Sequence, residues 1–344
     1  MIRTIAKVVR NTFRTAVMKD VNCSPLFPLY HITPFCNLRC AYCEGFPELD
    51  LPRDDAMNCS CQERHSYELS TVDVKRLLGI LRREFDFIFL TGGEPLVRDD
   101  IEDIITHAGA LGFRAICMNT NSILLPARES VLNHISQLVI SLDMIRADEY
   151  AGVLGCGKST VEGIISNVER YSRCQAKYGY RLKVHAVILP GKIDYAEEVL
   201  EFCLDRNIPI CFSPLQVDYR AHDSLQGDPA YTIFVDRLID LKRRGKRISG
   251  SYDYYRNIRN FAAFRCVPML IPRILPNGRL LYPCRPKGRI AGNILDFGSW
   301  GGTVNDAIQR FGAIEPCERS CRIRCYIEPS LLMKNPGSLI REFG

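Results

Sequence analysis

Cys36, Cys40 and Cys43 follow one another in C-x3-C-x2-C spacing on one short stretch, Cys-Asn-Leu-Arg-Cys-Ala-Tyr-Cys. On so short a loop three thiolates lie close enough to hold three corners of a 4Fe-4S cube. Electron-transfer clusters of that kind are closed by four cysteines, so a three-cysteine loop leaves one iron open to a ligand that is not protein. An open iron is a chemical site. The spacing argues against zinc, whose loops carry paired C-x2-C units and a tetrahedral fourth ligand.

A second group of cysteines lies near the other end of the chain. Cys266 precedes an apolar run, Pro276-Asn277-Gly278 gives a hairpin turn, and Arg279 to Tyr282 returns to Cys284, so folding the hairpin brings both cysteines toward one end. Cys317, Cys321 and Cys325 then add three thiols on a short segment after Gly292-Asn293-Ile294. Between the two groups, Cys59-Ser-Cys61 and His65 sit in a polar insertion over residues 44 to 69. Two thiols and a histidine there read as reduced surface side chains, and an insertion of that length beside a site shapes substrate access.

The elements that must position these residues alternate. Strands are predicted at 28–33, 85–90, 113–118, 137–142, 181–189 and 208–213. Helices fall between them, the first announced by Ser70 and Asp73 as a capping-box-like start before Val74, Leu77, Leu78 and Leu81. Others are predicted at about 99–111, 126–135, 159–178 and 194–206. Such alternation is the pattern of a parallel α/β architecture, in which functional residues gather at the C-terminal strand ends.

The cysteine loop, with Tyr42 before its third cysteine, and Gly92-Gly93-Glu94-Pro95 after the second strand together resemble the radical S-adenosylmethionine (SAM) enzymes. The resemblance implies an α/β fold, a partial (β/α)6 TIM-like barrel with a small C-terminal cysteine-rich cluster-binding extension. It implies a 4Fe-4S cluster on Cys36, Cys40 and Cys43 whose open iron chelates SAM. Tyr42, Gly92, Gly93, Glu94, Pro95, Asn121, Ser141 and Asp143 would then hold the cofactor. Thr120-Asn121-Ser122 looks like the family's Thr-Asn-Gly turn with serine in place of glycine, and Ser141-Leu142-Asp143 like its Ser-x-Asp segment. His185, Leu189, Ser213 and Gln216 are positional candidates only, and His185 reads first as a satisfied core histidine.

The tail resembles the SPASM or shorter twitch extension that carries auxiliary iron–sulfur clusters. The matching features are Cys266, the hairpin ending at Cys284, Gly-Asn-Ile, and Cys317, Cys321 and Cys325. Five cysteines imply one auxiliary 4Fe-4S cluster with a thiol to spare, a zinc knuckle being the alternative. The expected division is a basic segment over 1–27, the barrel over 28–226, connecting helices over 227–264 and the cluster extension over 265–344.

Composition bounds the rest. At 344 residues the chain buries a full core, and sixteen cysteines without a signal peptide point to a reducing, cytoplasmic protein rather than a disulfide scaffold. Of the formal +6, residues 1–19 carry +5 and residues 265–344 carry +6, which leaves the barrel at −5. An acidic barrel argues against nucleic acid as a partner. Residues 1–19 set Ile2, Ile5, Val9, Phe13, Ala16 and Val17 at helical spacing with the basic residues largely opposite, a helix suited to peripheral contact with an anionic membrane, to a targeting role, or to packing on the barrel. It is too short and too charged to span a bilayer.

One motif is a decoy. Gly152 to Ser159 satisfies the P-loop pattern, but the polar Ile145 to Tyr150 precedes it where a strand is required. Three functions remain. The first is a radical SAM oxidoreductase or crosslinking enzyme acting on an organic substrate, a peptide or cofactor precursor, with a flavodoxin or ferredoxin as electron donor. The second is a membrane-associated radical SAM enzyme modifying a lipid of hopanoid or isoprenoid type. The third is a non-enzymatic iron–sulfur electron-transfer protein.

Overall fold

The computed structural model describes residues 2–51, 66–315, 317 and 321–335. Cys59, Cys61 and His65 of the insertion lie outside the described residues. Six parallel strands carry the first half of the chain: β1 (Leu29–His31), β2 (Phe87–Thr91), β3 (Ala115–Thr120), β4 (Gln137–Ser141), β5 (Arg181–Ile188) and β6 (Ile210–Pro214). They stand side by side in chain order, as an α/β half-barrel requires.

Helices precede and connect these strands: α1 (Ile2–Ala16), α2 (Thr71–Glu84), α3 (Ile101–Ala110), α4 (Ala147–Leu154), α5 (Lys158–Arg173) and α6 (Ile193–Asp205). α2 starts where the sequence says it must: Ser70 Oγ accepts from the Asp73 backbone N–H at 3.2 Å, and Val74, Leu77, Leu78 and Leu81 are buried. The expected helix at 126–135 is instead a run of 3₁₀ turns over Leu125–Asn133, broken at Arg128. Its buried residues, Leu125, Val131 and Leu132, form no continuous helical stripe, and Pro126 removes a donor.

After β6 a small hairpin, β7 (Gln216–Val217) and β8 (Arg220–Ala221), precedes α7 (Pro229–Arg243) and α8 (Tyr252–Asn260). Tyr254 of α8 donates its hydroxyl to the Phe212 carbonyl at 3.0 Å, which ties the helix to β6. The tail shares the sheet. β9 (Arg273–Ile274) pairs parallel with β1, and β10 (Arg279–Leu281) and β11 (Ile290–Asn293) extend the same edge, giving the order β11-β10-β9-β1-β2-β3-β4-β5-β6. α9 (Trp300–Phe311) packs on β11, and α10 (Arg324–Lys334) packs on α1 and α8.

The first helix is turned against its own amphipathicity. Among its described side chains, Asn11 and Thr15 are the buried ones; Asn11 exchanges hydrogen bonds with the Ser24 backbone at 2.7 and 2.9 Å, and Thr15 donates to the Met333 carbonyl at 2.8 Å. At about 100° per residue, Val9 and Phe13 fall on the opposite side, and they are 64% and 56% exposed. Polar pairing by Asn11 and Thr15, together with Val8 packed on the cluster of Val21, Val267, Leu270 and Leu332, holds α1 to the body.

Candidate active site

The cysteine loop leaves β1 and is fastened by three neighbours. The Gly92–Glu94 turn runs against it, with Gly93 N–H donating to the Thr33 carbonyl at 2.9 Å and Glu94 N–H to the Phe35 carbonyl at 2.7 Å. The end of α4 backs it, since Arg39 N–H donates to the Leu154 carbonyl at 3.0 Å and Ala41 N–H to the Val153 carbonyl at 2.8 Å. Tyr42 donates its hydroxyl to Asp143. The decoy thus has a structural use. Gly152 lies inside α4, Gly155 caps it at φ +65°, a conformation that glycine adopts freely, and the cysteine loop lies against that cap. Lys158 pairs with Asp148 at 2.8 Å on the surface. Sequence reasoning missed this backing because nothing local links residue 39 to residue 154.

The acidic side chains carried over from the resemblance are spent inside the protein. Glu94 is buried; its carboxylate accepts from Leu96 N–H at 3.0 Å, Thr120 Oγ1 at 2.7 Å and Asn121 N–H at 2.7 Å, which locks the ends of β2 and β3 together. Burial pushes Glu94 up to about 7, against the pull of those donors. Asp143 is buried too. Besides Tyr42 it accepts from Tyr150 at 3.2 Å and from Val187 N–H at 2.7 Å, and burial raises its pKa. Asn121 donates to Asn37 of the loop at 2.7 Å and lies 4.0 Å from Cys36 Sγ. Ser122 adopts φ +66°, the glycine-like geometry that Thr-Asn-Gly requires, and its Oγ is buried without a partner. Ser141 ends β4 beside His185.

His185 meets the first reading of its sequence position. Its Nε2 lies 3.0 Å from Ser213 Oγ, which Tyr254 also reaches at 3.2 Å, and burial lowers the ring to about 3, so it stays neutral. Leu189 is buried, and Gln216 lines the cavity at the start of β7.

A cavity of about 1440 Å³ runs along the inner face of the sheet, from Val8 and Val9 of α1 to Cys36, Cys40, Cys43, Gly92 and Gly93. α10 walls its open side through Arg324, Glu328 and Met333. Burial, reinforced by Cys43, pushes the Cys36 and Cys40 thiols up to about 12. Thiolates there need a cationic partner. Among the described residues no three His, Cys, Asp or Glu side chains converge on a single ion. A cluster that gives each thiolate its own iron suits this donor set.

Four of the five C-terminal cysteines lie close enough to act on one another's charge. Cys266 and Cys317 form a backbone bridge, with Cys266 N–H donating to the Cys317 carbonyl at 2.9 Å, and Cys321 is bridged to Arg220 of the β7–β8 hairpin. Burial raises the Cys266 thiol, and Cys321, Cys284 and Cys317 raise it further as neighbouring charges. Burial lifts Cys284 to about 11, with Cys321 and Cys317 adding. Cys325 lines the main cavity.

Comparison with known proteins bears on the family and the fold. A GTP 3′,8-cyclase of Marinobacter nauticus is 29% identical over 185 residues, 53% of this chain and 51% of that protein. A second, from Pelotomaculum thermopropionicum, is 35% identical over 147 residues, 40% and 41% of the two chains. The matches thus span about half the length of these curated relatives. Among solved structures, a histidine-tagged anSMEcpe with bound AdoMet superposes at TM-score 0.57 and 16% identity, covering 83% of this chain and 80% of that one. Streptococcus suis SuiB bound to precursor peptide SuiA gives 0.54 at 15%, over 82% and 63%. These two likenesses concern the fold. The model of the Radical SAM superfamily matches residues 30–203, half of the chain, and the protein belongs to that superfamily.

Proposed function

We propose that this protein is a radical SAM oxidoreductase or transferase that abstracts hydrogen from an organic substrate held in the cavity, a peptide or cofactor precursor. The observation that carries the reading is the placement of the three loop cysteines at one end of a cavity with room for a cofactor and a second molecule. When bound and reduced, the 4Fe-4S cluster supplies the electron that splits SAM into a 5′-deoxyadenosyl radical able to take hydrogen from an unactivated C–H bond. The chain does the rest. Cys36, Cys40 and Cys43 bind the irons, and Tyr42 clamped on Asp143 fixes the loop. Gly92 to Pro95, Asn121 and Ser141 border the SAM site, Glu94 and Asp143 acting as positioning residues through their internal bonds. Cys266, Cys284, Cys317 and Cys321 hold an auxiliary 4Fe-4S cluster, and Cys325 is the spare thiol. A flavodoxin or ferredoxin serves as donor.

The test is isotopic. Reduced, reconstituted enzyme with SAM and deuterated cell extract should yield deuterium-labelled 5′-deoxyadenosine, and the labelled donor identifies the substrate. No 5′-deoxyadenosine under reducing anaerobic conditions ends the proposal.

The outward face of α1 favours a second reading, an enzyme that works on a membrane lipid. Phe13 and Val9 are more than half exposed, Val9 also bordering the cavity, Arg10 and Arg14 lie beside them, and residues 1–19 carry no acid. Each cation near an anionic surface contributes about 1 kcal/mol. No helix among the described residues is long and apolar enough to cross a membrane, so contact would be peripheral. Sedimentation with phosphatidylglycerol vesicles, lost in Val9→Ser/Phe13→Ser, supports it; equal recovery in the supernatant with and without vesicles refutes it.

A further inference from the structure

Among the described residues, two buried polar side chains on the cavity wall lack partners. His31, the last residue of β1, is 7% exposed and neither ring nitrogen makes a hydrogen bond. Arg273 on β9 is 9% exposed; its Nε is unsatisfied, no carboxylate among the described residues pairs with its guanidinium, and it lies 5.3 Å from the centre of the Tyr326 ring. Both line the cavity. They share a face for a reason of register, because Arg273 stands opposite Leu29 and His31 lies two residues further along the same strand.

Two neighbouring cations, Arg285 and Arg324, are already engaged. Arg285 pairs with Glu48 at 2.5 Å and donates to the Gly45 carbonyl at 2.6 Å, and Arg324 pairs with Glu328 at 2.9 Å. Arg273 therefore brings an uncompensated charge, and Lys183 on β5, which also lines the cavity, makes no ion pair among the described residues. An unpaired buried cation is costly, and a protein that keeps one facing a cavity gains only when something fills it.

We infer that Arg273 and His31 form a receptor for an anionic oxygen group of the substrate, a carboxylate or a phosphate. The fork of the guanidinium matches two oxygens of either group. Burial, together with the charges of Arg273 and Arg285, keeps the His31 ring neutral, so it offers one N–H donor to a third contact. The site lies where β9 of the cysteine-rich tail pairs with β1, so an anion held there anchors the substrate on that part of the cavity wall. This inference rests on the proposal that the substrate occupies the cavity.

The experiment compares melting of the reconstituted, SAM-loaded full chain in inorganic phosphate, in acetate and in chloride at matched ionic strength. Wild type should gain about 1–2 °C in phosphate or acetate beyond any gain shown by Arg273→Met, and the salt with the larger effect separates a phosphate from a carboxylate source. Arg273→Met should keep the wild-type iron content and melt no lower than wild type in chloride. Arg273→Lys, which keeps the charge without the fork, should show at most half the wild-type gain and covers the case in which the methionine variant does not fold. Equal gains in wild type and both variants overturn the receptor. So does loss of iron from Arg273→Met, which would make the guanidinium a partner of the C-terminal thiols. An anion effect in protein that makes no 5′-deoxyadenosine would leave the receptor standing while the radical chemistry fails.

Discussion

Replacing Gly93 with alanine tests how the cysteine loop is held. A Cβ at this position would stand 2.1 Å from the Phe35 carbonyl oxygen, 2.5 Å from its carbon and 2.7 Å from the Pro34 oxygen. All three are backbone atoms, so no side chain can swing aside. Ordinary contact needs about 3.5 Å, and the segment before Cys36 must retreat by about 1 Å. That movement breaks the bonds from Gly93 to Thr33 and from Glu94 to Phe35. Each is worth about 1 kcal/mol net, and a buried N–H left without a partner costs about 1–3 kcal/mol more. The total is roughly 3–5 kcal/mol.

The functional effect should exceed the loss of stability, because a misplacement of about 1 Å costs on the order of 100-fold in rate. Iron analysis after anaerobic reconstitution and the rate of dithionite-driven 5′-deoxyadenosine formation read the result. Gly155→Ala is the milder companion. Its Cβ meets Arg39 at 3.2 and 3.3 Å, so the loop must yield by tenths of an ångström, and φ +65° adds about 1–2 kcal/mol. A Gly93→Ala protein with wild-type iron and wild-type rate would refute the claim that the turn sets the loop.

Three further outcomes are expected. Cys284→Ala should lower bound iron from about eight to about four per chain, whereas Cys325→Ala should leave about eight; the reverse pattern would assign the spare thiol wrongly. Ser122→Gly should raise stability by about 1 kcal/mol in chemical denaturation, since it relieves a positive φ and deletes a buried hydroxyl without a partner, and a loss would show that the hydroxyl has a use. Glu94 is raised from its ordinary value to about 7, so its stabilising contribution is complete below about pH 4.5 and fades as pH rises through 7. The stability of wild type minus that of Glu94→Gln should therefore fall by roughly 3 kcal/mol across that interval; a flat difference would mean that the three donors to the carboxylate balance its burial.

Much of the fold was legible because its signals are local. Apolar runs marked all six parallel strands within a few residues, Ser70 marked the start of α2, and Pro276-Asn277-Gly278 marked the β9–β10 hairpin. The cysteine spacing announced the site for the same reason. What stayed hidden depends on distant contacts. The pattern Gly152 to Ser159 gives no sign that it backs the loop, because the contact joins Leu154 to Arg39 across the sheet. Hydrophobic periodicity showed that α1 has an apolar stripe, but the hydrogen bonds of Asn11 and Thr15 decide which side packs. Periodicity measures amphipathicity, and orientation belongs to the partner.

The pairing of β9 with β1 changes how the two cysteine groups relate. A tail joined by a linker could set its thiols at any distance from the loop. Here Leu29 and Tyr30 align with Arg273 and Ile274, so the strand that leads into Cys36 and the strand between Cys266 and Cys284 belong to one hydrogen-bonded ladder. The same tail returns through α10 to wall the cavity opposite β5, and Arg322 N–H donates to the Tyr219 carbonyl at 2.7 Å beside Cys321. The tail is therefore part of the cavity wall, whatever group its cysteines hold. Side chains on a shared sheet move together, so the pairing of β9 with β1 holds the two cysteine groups at a fixed separation.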